Sequence, residues 1–280
     1  MNSKHLLFFL FLILMMQSLL AQQMKVGTYN IRYDNPKDTG NLWVSRAPVV
    51  VELLRFHEFD IFGTQEGLKN QLDDISNGLP QYTRYGIGRN DGKDQGEHSA
   101  IYFKKDKFDL LNKGDFWLSE TPDKPSLGWD AKCCNRICSW IYLRDKKSGK
   151  NFYFFNAHFD HQGIEARKES SKLVLQRIKE IAGLQPVIFT GDLNGAHQSE
   201  WYQTIATSGI LKDAYKEVAH PYAVNASFNS FGKVQGRTEI IDHVFTSQHF
   251  TIQKWGLLTD TYHGKFPSDH FPVMVELTLK

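Results

Sequence analysis

Val187-Ile-Phe-Thr-Gly-Asp-Leu-Asn194 is the stretch on which the fold turns. Its first four residues are apolar or β-branched on both faces, the pattern of a strand covered from above and below, and its last four end in a glycine, an acid and an amide. Phe152-Tyr-Phe-Phe155 has the same character and runs into Asn156-Ala-His158-Phe-Asp160. Residues 164–182 between them have helical spacing. Two central strands, each ending in polar residues, place covered sheet at the heart of the molecule.

Working outward, residues 25–33 alternate with period two and predict a strand, residues 44–56 a helix, 60–63 a short buried strand and 68–79 a second helix. Several strand candidates broken by Gly, Asp and Pro turns follow between residues 82 and 143, among them 100–103 and 137–143. Residues 240–245, 250–258 and 272–277 close the chain as strands. Both halves carry strands and helices with no low-complexity linker between them. The reading is one compact domain over residues 22–280, an α/β (α+β) fold in which two sheets pack together with helices outside. At 280 residues, 41% hydrophobic and 23% charged, the chain can bury a large core, and disorder, collagen and coiled coil are excluded.

Lys4 and His5 precede the apolar run Leu6-Leu-Phe-Phe-Leu-Phe-Leu-Ile-Leu-Met-Met16, and Ala21 leads into polar Gln22. This is the form of a secretory signal peptide over residues 1–21, so an exported protein, periplasmic or extracellular, is expected, with no integral membrane association once the leader is removed. The chain has 33 basic and 31 acidic side chains, a net charge of +2 that falls to +1 when Lys4 leaves with the leader. Bulk charge is too small to grip nucleic acid, so any phosphate recognition is local. The three cysteines, Cys133, Cys134 and Cys138, form no disulfide framework and no zinc pattern; they read as small side chains in or beside a strand, with room for one local disulfide.

Polar residues recur at the ends of the apolar strands: Asn30, Gln65-Glu66, Asn156 with His158 and Asp160, Asp192 with Asn194, Asp242-His243, and Ser268-Asp269-His270 before the last strand. Any one of these is ordinarily a turn former, a helix cap or a satisfied core residue. Six in one chain, all in strand contexts, point to a site.

With these residues in view, the sequence resembles the endonuclease/exonuclease/phosphatase superfamily, which includes pancreatic deoxyribonuclease, abasic-site endonucleases, neutral sphingomyelinases, inositol-polyphosphate phosphatases and poly(A) deadenylases. The resemblance runs from Tyr29-Asn30 to Ser268-Asp-His270 and is most specific in Gly191-Asp-Leu-Asn194 combined with the terminal Ser-Asp-His. It implies a four-layer sandwich of two mixed β-sheets flanked by helices, with the site at one end, and a divalent-metal-dependent hydrolase of phosphate esters.

Such hydrolysis needs charge neutralised on the phosphoryl oxygens, a water deprotonated in line and a leaving oxygen stabilised. Glu66 is the metal carboxylate, helped by Asn30, because hard cations such as Mg²⁺ (Mn²⁺ or Ca²⁺ in other settings) take oxygen ligands. The resemblance gives Glu66 the same role and adds Asp269. Asp192 fits a water-orienting or base role and Asn194 a neutral donor to phosphate. The resemblance pairs His270 with Asp242 and makes His158 a second imidazole backed by Glu97, without deciding which is acid and which base. Arg136 and Asn156 are candidate phosphate contacts. By the resemblance His243 stands where deoxyribonuclease has a basic residue, and His161 departs from that enzyme's pattern.

The first expectation for substrate is a phosphodiesterase acting as a nuclease. The alternatives are a small phosphate monoester, a phospholipid headgroup or an inositol phosphate, and, last, a binding module without catalysis. Stacking of bases would fall to Trp43, Trp117, Trp129 or Trp140, although core or loop packing is the ordinary place for such residues. Residues 121–130 are the most distinctive loop and a candidate for shaping entry. No obligate protein partner is evident.

Overall fold

Strands β1 (Gln23–Asn30), β2 (Ile61–Gln65), β3 (Tyr82–Tyr85) and β4 (Ile101–Lys104) begin one sheet; β5 (Phe108–Trp117), β6 (Ile137–Asp145), β7 (Asn151–His158), β8 (Val187–Asp192), β9 (Lys212–Asp213) and β10 (Asp242–Thr246) make the other; β11 (Phe250–Leu257) and β12 (Val273–Leu279) return to the first. Across the first sheet the order is β11-β12-β1-β2-β4-β3, and across the second β5-β6-β7-β8-β10-β9. β1–β2 and β7–β8 are parallel and the other pairs antiparallel, so both sheets are mixed. The structure, a computed structural model, describes residues 23–222, 225–234 and 236–280. The expected leader over residues 1–21 lies outside them. No helix among the described residues is long and apolar enough to cross a membrane.

Four layers need three apolar interfaces, and three are present. Between the sheets lie Val26, Ile61, Phe154, Ile188, Val244 and Val275. The outer face of the first sheet packs Tyr29 and Phe62 against α1 (Trp43–His57) and α2 (Lys69–Gly78). On the outer face of the second, Phe155, Phe189 and Phe245 meet α3 (Ile164–Ala182) and α4 (Glu200–Ala206). This explains why β7 and β8 read as apolar on both sides while β12, with alternate residues half-buried, reads with period two. α3 buries Val174, Leu175, Ile178 and Ala182, the stripe its spacing predicts. Its cap comes from elsewhere: Asp130 accepts hydrogen bonds from the Glu165 and Ala166 N–H groups at 3.2 and 2.7 Å. The loop over residues 121–130, a candidate for shaping entry, thus closes a helix end, and none of its residues lines the cavity described below.

The interior of the sandwich has one polar seam. Asn156 donates to the Thr64 and Ala100 carbonyls (2.9 and 3.0 Å) and accepts from Gln65 Nε2 at 2.7 Å, so β7 of one sheet is tied to β2 and β4's approach in the other. Gly63 allows it, since a Cβ there would stand 2.3 Å from Asn156 Oδ1. Asn156 was expected to contact phosphate. The structure instead buries it completely in this seam, because its position on β7 lies two residues inside the rim.

Candidate active site

Strand register assembles the site before any side chain is considered. In the second sheet His158 pairs with Asp192 across β7–β8, and Asp192 pairs with Asp242 across β8–β10, so an imidazole and two carboxylates stand in one row at the rim. Asn30 ends β1 at the same rim of the first sheet, and the residue after β2 is Glu66, turned by a left-handed backbone (φ 64°). Asn30 joins the sheets: its Nδ2 donates to Glu66 Oε1 and to Asp192 Oδ2, both at 3.0 Å. Its oxygen takes the Arg32 N–H at 3.0 Å. Asn30 is thus a bridge that sets Glu66 and Asp192 through its nitrogen, while its oxygen, the expected metal ligand, accepts the Arg32 N–H beside Glu66. Asp269, delivered by the chain leading into β12, lies 3.7 Å from Arg32 Nε, while Arg32 Nη1 lies 3.8 Å from Glu66.

The electrostatics separate the groups. Burial, with Asp242 nearby, pushes the Asp192 carboxyl up to about 7, against the pull of His270 and the hydrogen bonds from Asn194 and Asn30. His270 is buried, which alone would lower it, but Asp242 accepts from its Nδ1 at 2.9 Å, Asp192 lies 3.8 Å from its Nε2, and the imidazole rises to about 10. It is an imidazolium at neutral pH. His158 goes the other way: burial and the Arg136 and Arg89 guanidiniums hold it well below its ordinary value. Its Nε2 meets Asn194 Nδ2 at 3.2 Å and its Nδ1 faces Glu97 at 3.9 Å. Glu97 gives both oxygens to Arg89 (2.6 and 2.8 Å), so it backs His158 only at longer range.

Glu66 and Asp269 form the oxygen-rich corner. Burial, together with Glu66, raises Asp269 to about 6. A buried carboxylate whose ionisation is opposed by a second carboxylate beside it is a fitting donor set for a hard divalent cation. Asp192, Asp242 and His270 also bring ligand atoms within 4.8 Å of one another. A charged His270 bonded to Asp242 and 3.8 Å from Asp192 already supplies the positive charge between those carboxylates and repels a cation.

These residues face a cavity of about 640 Å³. Arg32, Arg89 and Arg136 line it, and Arg136 is 5% exposed, with Nη2 on His161 Nδ1 at 2.7 Å and Nη1 unpaired. Arg136 is therefore a buried guanidinium aimed at the site, as its candidate role requires. Arg32 and Arg89 were missed by sequence reasoning. Arg32 stands beside Asn30 but turns inward only through a left-handed backbone (φ 56°), and Arg89 lies in a glycine-rich loop without any pattern. Cys133 and Cys134 form a disulfide between adjacent residues in the cavity wall, while Cys138 is a free, buried thiol on β6. A second cavity of about 320 Å³ adjoins, sharing Asn194, Phe228 and Ile241 and lined further by Trp201, Arg237 and Glu239. None of Trp43, Trp117, Trp129 and Trp140 lines either space.

His243 does not reach the cavity. Adjacent residues of a strand point to opposite faces, so with Asp242 inward His243 turns outward, where its Nε2 meets the Gly195 carbonyl at 2.9 Å. The expectation that it faces phosphate is corrected by that parity.

The family model for the endonuclease/exonuclease/phosphatase family matches residues 27–270. This chain belongs to that family. Its members are divalent-metal-dependent hydrolases of phosphate esters, and it is one of them. A crystal structure of a family protein from Bacteroides thetaiotaomicron is 46% identical, with TM-score 0.90 over 93% of this chain and 99% of that one. The mannosyl-6-phosphatase Bt3783 of the same species is also 46% identical, with TM-score 0.88 over 91% and 99%. Among curated proteins, the uncharacterised mimivirus protein R895 is 29% identical over 206 residues, 60% of this chain and 30% of its own length. The chain thus spans under a third of that relative's length. The matched range begins and ends inside the two strand-end motifs, at β1 and His270, that bracket the site.

Proposed function

We propose that this phosphoesterase is a phosphomonoesterase acting on a phosphorylated sugar. The observation that carries the reading is the paired cavity: one lobe is lined by Arg32, Arg89, Arg136 and the charged His270, and the adjoining lobe offers Trp201, Phe228, Arg237 and Glu239. A monoester concentrates about two negative charges on three oxygens, which suits a compact lobe with cations in its wall. A polynucleotide spreads its charge along a groove, and a chain of net charge +2 has no bulk field to hold one. Aromatic faces with an arginine and a carboxylate beside them suit a sugar ring. The 46% identity to a mannosyl-6-phosphatase supports the same substrate class.

In this reading Asp192, poised near neutrality, takes the proton of the attacking water, with Asn194 and Asn30 fixing its two oxygens. His270 and Arg136 hold the phosphoryl oxygens, and His270 carries the proton that the leaving oxygen needs. Neutral His158 keeps positive charge away from Asp192's other flank. Glu66 and Asp269 would hold Mg²⁺ or a similar ion, which when bound supplies Lewis-acid stabilisation of charge on the phosphate.

The test is phosphate release from mannose 6-phosphate beside hydrolysis of bis(p-nitrophenyl) phosphate and single-stranded DNA, each with Mg²⁺ and with chelator. The monoester is expected to give a kcat/KM on the order of 100-fold above either diester, and only with metal. Faster diester cleavage would return the nuclease reading to first place. Export is part of the same proposal, read from the leader in the sequence: mature protein recovered outside the cytoplasm should begin at Gln22, and an intact residue 1 on exported protein would count against cleavage there.

A further inference from the structure

On the outer face of the second sheet, away from the phosphate cavity, His197, Asp213 and His243 converge. His197 Nε2 and His243 Nδ1 lie 3.4 and 3.5 Å from the same oxygen, Asp213 Oδ2, and all three ligand atoms fall within 4.8 Å of one another. Both nitrogens are buried and neither makes a hydrogen bond. His243 is 1% exposed and its other nitrogen, Nε2, donates to the Gly195 carbonyl. With Nε2 turned to that carbonyl, Nδ1 is the atom that faces the Asp213 carboxylate, and a cation between them would take both as ligands.

We propose that these three residues bind a divalent transition metal of the zinc class. Two ligand atoms each 2.0–2.1 Å from a tetrahedral ion stand about 3.3 Å apart, close to the 3.4 and 3.5 Å that separate Asp213 Oδ2 from the two nitrogens. Two imidazoles and one carboxylate select zinc or its neighbours over Mg²⁺, which prefers an all-oxygen octahedron. The outer partners are also in place: Tyr202 donates to Asp213 Oδ2 at 2.8 Å, and the Gly195 carbonyl orients His243. The rings of Tyr202 and Tyr215, with centroids 4.9 and 4.7 Å from that of His197, pack beside it. Three protein ligands leave a fourth position for a water. The ion would be structural, pinning the turn that carries Asn194 and Gly195 to β9 and β10 and so holding Asn194 against His158.

Cobalt(II) added to dialysed full-length protein is the probe, because a tetrahedral site absorbs strongly in the visible and an octahedral oxygen site weakly. One equivalent per chain should give the strong bands, in wild type and in Glu66→Gln, which strikes only the oxygen-rich corner. His197→Gln, at a half-exposed position that tolerates exchange, should lose them, and Tyr202→Phe should weaken zinc affinity about 10- to 100-fold. Zinc should raise the Tm of wild type and leave that of His197→Gln unchanged. Wild-type protein without the bands, or bands equal in wild type and His197→Gln, would overturn the site.

Discussion

At the scale of single residues, the site works by pulling ordinary pKa values apart. Asp192→Ala removes the only carboxylate bonded to both Asn30 and Asn194, and kcat/KM for phosphate release should fall on the order of 1000-fold with near-normal circular dichroism. A rate near that of wild type would move the base elsewhere. Asp242 raises both Asp192 and His270. Asp242→Asn should therefore lower both, and the whole bell-shaped profile of kcat/KM should slide to lower pH, its acid limb from about 7 and its alkaline limb from about 10. A profile that loses height without moving would show that the pair does not set these limbs. Glu66→Gln should raise the Mg²⁺ concentration for half-maximal rate by roughly 10-fold or more; an unchanged titration takes Glu66 out of the metal's reach.

Strands and helices were the most legible level, because a covered strand and an amphipathic helix each leave a strong pattern. Residues 164–182 were predicted as a helix with the bounds observed, and β7, β8 and β12 were found with ends shifted by a few residues. The strand predicted over residues 25–33 stops at Asn30, since a left-handed Arg32 cannot extend it. The short α4 and β9 left no signal, being under two turns and two residues long. Of the candidate site, the strand-end residues Glu66, His158, Asp192, Asn194, Asp269 and His270 come together at one rim. Asn156 and His243 do not: depth along a strand and the alternation of its faces decide the matter, and reading Asp242 and His243 as neighbours overlooked the latter. Arg89 and His197 act through loops, whose path no periodicity reports. The seam between β2 and β7 makes its own test. Gly63→Ala would drive a methyl into Asn156, so stability should fall by about 2–3 kcal/mol while kcat per folded molecule persists. A melting temperature equal to wild type would mean the sheets can part there without cost.

For the whole molecule, the same shifted groups couple stability to pH. Folded Asp192 (about 7) and Asp269 (about 6) hold protons that the unfolded chain releases near its ordinary 3.8, and His270 (about 10) does so above 6.5. Proton excess in the folded state means stability declines as pH rises. Chelated protein should lose several kcal/mol between roughly pH 4 and pH 10, and Mg²⁺ should recover part of the loss by neutralising the carboxylates. Asp213, held low by its two imidazoles despite burial, acts only at more acid pH. A flat dependence of denaturant midpoint on pH in chelator would contradict the charge states assigned to the site. The order of layers also explains why chemistry collects where it does: both sheets send their strand ends to one rim, and Asn30 stitches those ends together.

The adjacent cysteines joined in the cavity wall carry a practical lesson about where the enzyme is made. A host cytosol keeps thiols reduced, so protein produced there would carry two separate sulfhydryls in that wall in place of one disulfide. Preparations from the two compartments should be regarded as two different enzymes until their Michaelis constants have been measured side by side.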